Sequence, residues 1–321
     1  MQRNRKIISI IALILTAALL LSGCGEKKSE LEKSADKTAE YICDTIPEPT
    51  SGSVGGEWII IGLVQSGCDI PKGYLDEYYE NLCSRLEQCG GVLDEVKYTE
   101  YSRAITALCI MGKDPSDTAG YDLTAPLGDF DMTIAQGING AIWALIALDM
   151  YGADPPVGDA EAQGSRTAYL NEILNNQNEN GSWGLTAGES NIDITAMALQ
   201  ALAGHKDEQN VTDSIEKALT WLSEQQLPDG GFYSGDTETS ESTSQVIIAL
   251  YELGLDKDDS RFVKNGNTLE DALMSYSEEN GGFRHELDGD VSQMSTEQAF
   301  LAITEMLRHE KGQTPLFSSE K

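Results

Sequence analysis

Short, almost wholly apolar runs alternate with longer amphipathic ones along most of this chain. "WIIIGLVQSG" ends at Gly67, "AITALCIMG" at Gly112, "ALIALDMYG" at Gly152, "AMALQALAG" at Gly204 and "VIIALYELG" at Gly254. "FLAITEMLR" fills the same place at Arg308 without a glycine. The ends fall 45, 40, 52, 50 and 54 residues apart, so the chain is a repeat. A helix apolar on every face is a buried helix. The closing glycines predict left-handed C-caps.

Between these runs lie six more polar segments, roughly 30–45, 72–89, 115–127, 165–178, 211–226 and 267–278. In "VTDSIEKALTWLSEQQ", Ile215, Ala218, Leu219 and Leu222 share one helical face. Thr212 or Asp213 is the expected cap at its start. The third segment contains Gly120 and Pro126 and is a poor helix. Six inner and six outer helices in alternation predict an all-α ring, an (α/α)6 toroid. An open stack would need polar capping repeats, which the chain lacks; closing the ring removes the exposed ends.

The turns before the last three inner helices share a second pattern: "LNNQNENGSWG", "LSEQQLPDGGFYSG" and "MSYSEENGGFRHE". Each has Asn or Asp, then glycine, a small residue and an aromatic, namely Trp183, Phe232 and Phe283. The Asn-Gly and Asp-Gly pairs supply positive φ for a tight turn. Gln177 and Gln225 are placed to satisfy free backbone groups at the preceding helix end. With the helix count, these turns resemble the glutamine–tryptophan repeats of squalene and hopene cyclases. The chain over about 30–310 resembles the terpenoid cyclase and protein prenyltransferase α/α-toroid superfamily. "QGINGAIWALIAL" and "SQMSTEQAFLAI" look like the short lipoprotein members of Gram-positive bacteria.

The N-terminus sets the expected compartment. Arg3, Arg5 and Lys6 precede an uncharged stretch from Ile7 to Leu21, then Leu21-Ser22-Gly23-Cys24. This reads as a secretory signal, similar to a bacterial lipoprotein signal over residues 1–23. The resemblance implies lipidation of Cys24 and anchorage to the outer face of the cell membrane. Residues 24–36 read as a tether, 37–311 as the toroid and 312–321 as a C-terminal tail. Formal net charge is −31, and removing residues 1–23 takes away three basic residues and no acidic ones. Such a surface repels phosphate backbones and excludes nucleic acid as a partner. Cys43, Cys68, Cys83, Cys89 and Cys109 lie in the first half without CxxC spacing or clustered histidine, so no zinc site is expected. They read as thiols on helices, with one disulfide through Cys83 or Cys89 left open. The Asp-rich stretches 255–262 and 285–293 are similar to calcium loops but lack the EF-hand spacing and its closing Glu. No cofactor or metal is predicted, with calcium the one cation left open.

In a toroid the N-terminal turns of the inner helices surround one mouth. Aligning the copies from their closing glycines gives a column of Gly56, Tyr101, Ala141, Asp193, Thr243 and Glu297. A second column holds Trp58, Arg103, Trp143, Thr195, Gln245 and Ala299, and Gln298 lies between the two. The candidate mouth residues are Trp58, Tyr101, Arg103, Trp143, Asp193, Gln245, Glu297 and Gln298. The family's cyclases carry an Asp-x-Asp-Asp-Thr-Ala cluster whose middle acid protonates an alkene. The matching residues here are Asn191, Ile192, Asp193, Ile194, Thr195 and Ala196, with both flanking acids gone. Burial without such support makes Asp193 a weaker acid, and only 7% of the chain is aromatic. A prenyltransferase would need an Asp-x-Cys on an inner helix, and none occurs. His205, His285 and His309 fall near helix ends or in a turn. A paired-carboxylate carbohydrate enzyme is a further reading, with Asp193 and Glu297 as the acids and Trp58, Trp143 and Tyr101 as sugar platforms. Asp193 also fits a plain N-cap or first-turn acid. The sequence therefore favours a surface binding module for a small apolar or amphiphilic ligand or a partner protein.

Overall fold

The computed structural model of the protein describes residues 28–318. Residues 1–27, with the expected signal peptide and Cys24, and residues 319–321 lie outside the described residues. The helices are α1 (Glu30–Thr45), α2 (Trp58–Ser66), α3 (Tyr74–Cys89), α4 (Thr99–Ile110), α5 (Phe130–Ile134), α6 (Ile138–Tyr151) and α7 (Arg166–Asn175). They continue with α8 (Ile192–Leu202), α9 (Gln209–Gln225), α10 (Ser240–Glu252), α11 (Leu269–Met274) and α12 (Gln293–Glu310). A two-residue hairpin, β1 (Tyr233–Ser234) and β2 (Thr237–Glu238), precedes α10.

The even-numbered helices form the inner ring. Each packs on the next, and α12 packs on α2 and α1, so the ring closes. The inner helices are buried nearly all round: Ile59, Ile60, Ile61 and Leu63 of α2 are each 0% exposed. Burying each such side chain contributes about 1.5–3 kcal/mol. The outer helices bury one face only; on α9 this face is Val211, Ile215, Ala218, Leu219 and Leu222.

Several expectations shift in detail. Helix α1 begins at Glu30, closed by a Ser29–Glu32 capping box, so residues 30–36 belong to the ring and not to a tether. Leu31 and Ala35 explain this, since they lie one turn apart and are buried. The third outer element is two 3-10 turns, over 115–117 and 125–128, followed by the short α5, capped by Asp129. Gly67, Gly112, Gly152 and Gly254 have positive φ as expected, but Gly204 does not. There α8 runs on through a 3-10 turn that carries His205 onto Asp149, 2.8 Å away. Helix α9 starts at Gln209, ahead of Thr212 and Asp213, without a side-chain cap. The five cysteines after Cys24 are free thiols: Cys68 follows α2 and the others lie on helices.

The repeated turn joins one hairpin to the next. Asn180, Asp229 and Asn280 each accept a hydrogen bond from the backbone N–H two residues on. Gly181, Gly230 and Gly281 then adopt φ of 94°, 97° and 94°. Each presses on the following outer helix. A Cβ would sit 2.5 Å from Lys217 O, 2.6 Å from Thr268 O and 2.4 Å from Lys37 O, respectively. The Lys37 contact joins the last turn to the first outer helix. Trp183, Phe232 and Phe283 are fully buried behind these glycines. The Trp183 indole N–H donates to Ile173 O at 2.7 Å. Gln177 donates to Gly181 O and to Ser214 O on α9, as its position predicts. In the next turn the expected residue is wrong by one. Gln226, not Gln225, donates to Gly230 O and Phe262 O. Both glutamines precede their aromatic by six residues.

The segment after α12 is not a loose tail. Leu316 is 0% and Phe317 8% exposed. The segment enters the ring from the C-terminal ends of the inner helices. The Phe317 ring meets Trp143 edge-on at 5.9 Å, and Trp143 meets Trp58 at 4.9 Å. The three aromatics thus form one edge-on cluster among the inner helices.

Candidate functional site

The mouth is built from the first turns of the inner helices, and its register is set by their N-caps. Asn191, Thr239 and Ser292 cap α8, α10 and α12 through their side chains. Each also donates its backbone N–H to the carbonyl of the turn aromatic, Trp183, Phe232 or Phe283. Four residues past each cap stand Thr195, Thr243 and Thr296, whose hydroxyls bond back to the cap carbonyl. Two residues past the caps come Asp193, Glu241 and Met294. The column read from the closing glycines therefore slips: Asp193 matches Glu241 rather than Thr243, and Met294 rather than Glu297. The inner helices differ in length, with 11, 13 and 18 residues in α8, α10 and α12. Registers counted from opposite ends cannot both hold. Counting from the caps would have found Glu241 in the sequence.

Asp193 is thus a first-turn acid, not the cap. Burial pushes its carboxyl above the ordinary value; a hydrogen bond with Ser242 pulls it down, and the negative charge of Glu241 pushes it up again. Its Oδ1 is buried without a hydrogen-bond partner. Glu241 accepts from the Ser295 hydroxyl at 2.6 Å and the Ser240 hydroxyl at 3.2 Å, and lies 2.9 Å from His285 Nδ1. Asp193 opens on a cleft of about 380 Å³ lined also by Asn191, Trp221, Gln225, Tyr233 and Ser234. Gln225, displaced from its expected turn role, belongs to this cleft.

Two more acids lie on the far side. Glu57 is 2% exposed and accepts both Gly52 N–H, at 3.1 Å, and the Tyr78 hydroxyl, at 2.9 Å. Burial pushes it up to about 7, against the pull of those bonds and of Arg103. Glu297 accepts Gly55 N–H and the Gln293 amide, both at 2.9 Å, and burial again raises it to about 7. Glu297 lines a separate cleft of about 230 Å³ between α1 and α12, so it does not pair with Asp193.

The other predicted mouth residues are mostly internal. Trp143 is 1% and Tyr101 3% exposed, and the Tyr101 hydroxyl accepts from Leu93 N–H, so neither offers a sugar platform. Arg103 is buried and paired with Glu100. Gln245 and Gln298 do meet: Gln245 donates to Gln298 at 3.0 Å and receives the Gln200 amide at 2.9 Å. Gln200 was not foreseen, because it looks like a stray polar residue in an apolar run. The aromatics that border the Asp193 cleft are Trp221 and Tyr233, the latter 47% exposed. Among the described residues, no group of three or more His, Cys, Asp or Glu side chains is arranged to hold a metal ion. Among the same residues, no helix is long and apolar enough to cross a membrane.

Comparison with known proteins agrees with the ring. Residues 128–239 and 208–315 match the prenyltransferase α/α-toroid domain. No curated protein matches the sequence. Among solved structures, the chain is similar to Candida albicans protein geranylgeranyltransferase-I complexed with GGPP, at TM-score 0.58 and 14% identity over 89% of this chain and 96% of that one. It is similar to the unsaturated glucuronyl hydrolase of Bacillus sp. GL1, responsible for the degradation of glycosaminoglycan, at TM-score 0.60 and 14% identity over 91% and 99%. The type II terpene cyclase MstE of Scytonema gives TM-score 0.54 and 13% identity over 87% and 98%. At such identities the likeness is one of fold.

Proposed function

The chain belongs to the prenyltransferase α/α-toroid family, and from that premise we propose that it is a non-catalytic binding module, anchored to the outer face of the cell membrane through a lipidated Cys24. The observation that carries this reading is aromatic packing inside the ring. Trp143, 1% exposed, has Trp58 against it at 4.9 Å and Phe317 at 5.9 Å, so side chains fill space among the inner helices that a polyprenyl chain would need. The acid left at the cyclase position, Asp193, is weakened, since burial raises its pKa against the pull of the Ser242 hydrogen bond and the charge of Glu241 raises it further.

The binding place is the cleft beside Asp193. Trp221 and Tyr233 give it apolar faces, and Asn191, Asp193 and Gln225 give it polar edges. Ser190 and Ser234 add to the polar edge and Ile192 to the apolar face, a mixed lining that suits a small amphiphilic molecule. The overall charge of −31 disfavours anions. Native mass spectrometry of the protein, exposed to extracts of host membrane and medium, tests the reading. A reproducible mass increment that Tyr233→Ala removes supports it. Unchanged spectra with every extract reject it in favour of a partner protein.

One observation favours a second reading, a carbohydrate enzyme. Asp193 and Glu241 are first-turn carboxyls in adjacent repeats, one with its pKa raised by burial and the other paired with His285. Such a pair is the equipment of acid–base glycoside chemistry. A screen against neutral and unsaturated uronic oligosaccharides decides it: turnover lost in Asp193→Asn would replace the binding reading.

A further inference from the structure

The floor of the ring, opposite the Asp193 cleft, holds the segment that follows α12. Two glutamates near the C-terminal ends of adjacent inner helices, Glu252 on α10 and Glu305 on α12, are 4% and 1% exposed. Each accepts one backbone N–H of the segment that follows α12. Leu316 N–H donates to Glu305 and Phe317 N–H to Glu252, both at 2.7 Å. From the other side, the Gln65 amide donates to Leu316 O at 2.7 Å and Arg308 Nε to Thr314 O at 2.7 Å. These four contacts are to main chain, and Arg308 also donates to the Thr314 hydroxyl at 3.1 Å. The side chains of Leu316 and Phe317 are sunk into the ring, Phe317 against Trp143.

Two buried carboxyls side by side are costly unless something satisfies them. Here two consecutive amides of a turn, closed by Ser318 N–H donating to Pro315 O, do so. Recognition of backbone by fixed side chains, with pockets for neighbouring apolar residues, is how peptide-binding grooves work, and it does not depend on the peptide belonging to the same molecule. Clefts of about 240 and 400 Å³ flank the segment along the same floor, and both are bordered by Ser318.

We propose that the ring floor is a binding site for a peptide that presents an adjacent apolar pair of the Leu316–Phe317 kind in a turn, and that the chain's own 314–318 segment is a resident occupant that such a peptide displaces. A tethered occupant acts at high effective concentration, so an outside peptide competes poorly until the tether is weakened. This site is at the other end of the ring from the Asp193 cleft, and neither depends on the other.

The test uses the full chain, its Phe317→Ala variant and a fluorescein-labelled peptide Gly-Gln-Thr-Pro-Leu-Phe-Ser-Ser-Glu-Lys. Fluorescence anisotropy is expected to give at least tenfold tighter binding to Phe317→Ala than to the unaltered chain. The same peptide with Phe replaced by Ala is expected to bind neither. Should Phe317→Ala fail to fold, Phe317→Leu, which keeps most of the buried volume, takes its place. Binding that ignores the Phe-to-Ala change in the peptide, or no binding to a folded variant, overturns the proposal. Dimerisation of the unaltered chain that Phe317→Ala abolishes would support it and name a second copy as the peptide's source.

Discussion

Asp193 and Glu241 stand at one and the same place in consecutive repeats, two residues beyond the caps Asn191 and Thr239. The charge of Glu241 adds to burial in raising the Asp193 pKa. Replacing Glu241 by Gln removes that charge and leaves Asp193 buried. Carboxyl titration by NMR is therefore expected to show the Asp193 pKa falling in Glu241→Gln while staying above the ordinary value. An unchanged titration would mean the two groups do not sense each other.

The buried acids make stability depend on pH. Glu57, Glu297 and Glu305 rise from 4.5 to about 7 in the folded chain. Between those values the unfolded chain has released protons that the folded chain still binds, so stability falls as pH rises through this window. Each group contributes a few kcal/mol at most. Thermal melts are expected to give a lower Tm at about pH 8 than at about pH 5. Lower net charge at acid pH acts in the same direction, so variants separate the causes. Glu57→Gln and Glu297→Gln should each flatten the slope, and Glu161→Gln, at an exposed site, should not.

Gln226 and Gln225 are adjacent and chemically alike but differ in role. Gln226→Ala leaves the carbonyls of Gly230 and Phe262 without their donor, a loss of about 1–3 kcal/mol. Gln225→Ala, at the cleft edge, should fall within about 0.5 kcal/mol of the unaltered chain. Urea denaturation of the pair checks this, and equal losses would contradict the observed register.

Ring closure rests on a glycine. At Gly281 a Cβ would sit 2.4 Å from the Lys37 carbonyl oxygen, where only a hydrogen now stands. Gly281→Ala should therefore cost a few kcal/mol and loosen α1, which hydrogen exchange would show as faster exchange over Glu30–Thr45. Gly152→Ala, at a similar φ but with open space around it, should cost about 1 kcal/mol, the backbone penalty alone.

How much of this was legible depended on the range of the interaction. The inner helices, five of the six outer ones and the three turn aromatics follow from periodicity and turn chemistry. These signals are local, and burial makes them regular. The third outer element and the turn glutamine were harder. At 115–134, Gly120 and Pro126 break the helical pattern, and two adjacent glutamines at 225–226 look the same until one is seen to reach Phe262.

The sequence by itself determined the repeat, the ring and the acidic surface, because each is written in residue types at fixed spacings. Only the tertiary structure decided which acids face one another. Asp193 was paired on paper with Glu297, yet it lies beside Glu241, because helices of unequal length share a register at their caps and not at their ends. Only the tertiary structure, too, put Phe317 inside the ring. Nothing local marks "TPLF" as buried; its place is fixed by Glu252, Glu305 and Trp143, which come from three different repeats and meet only when the ring is closed.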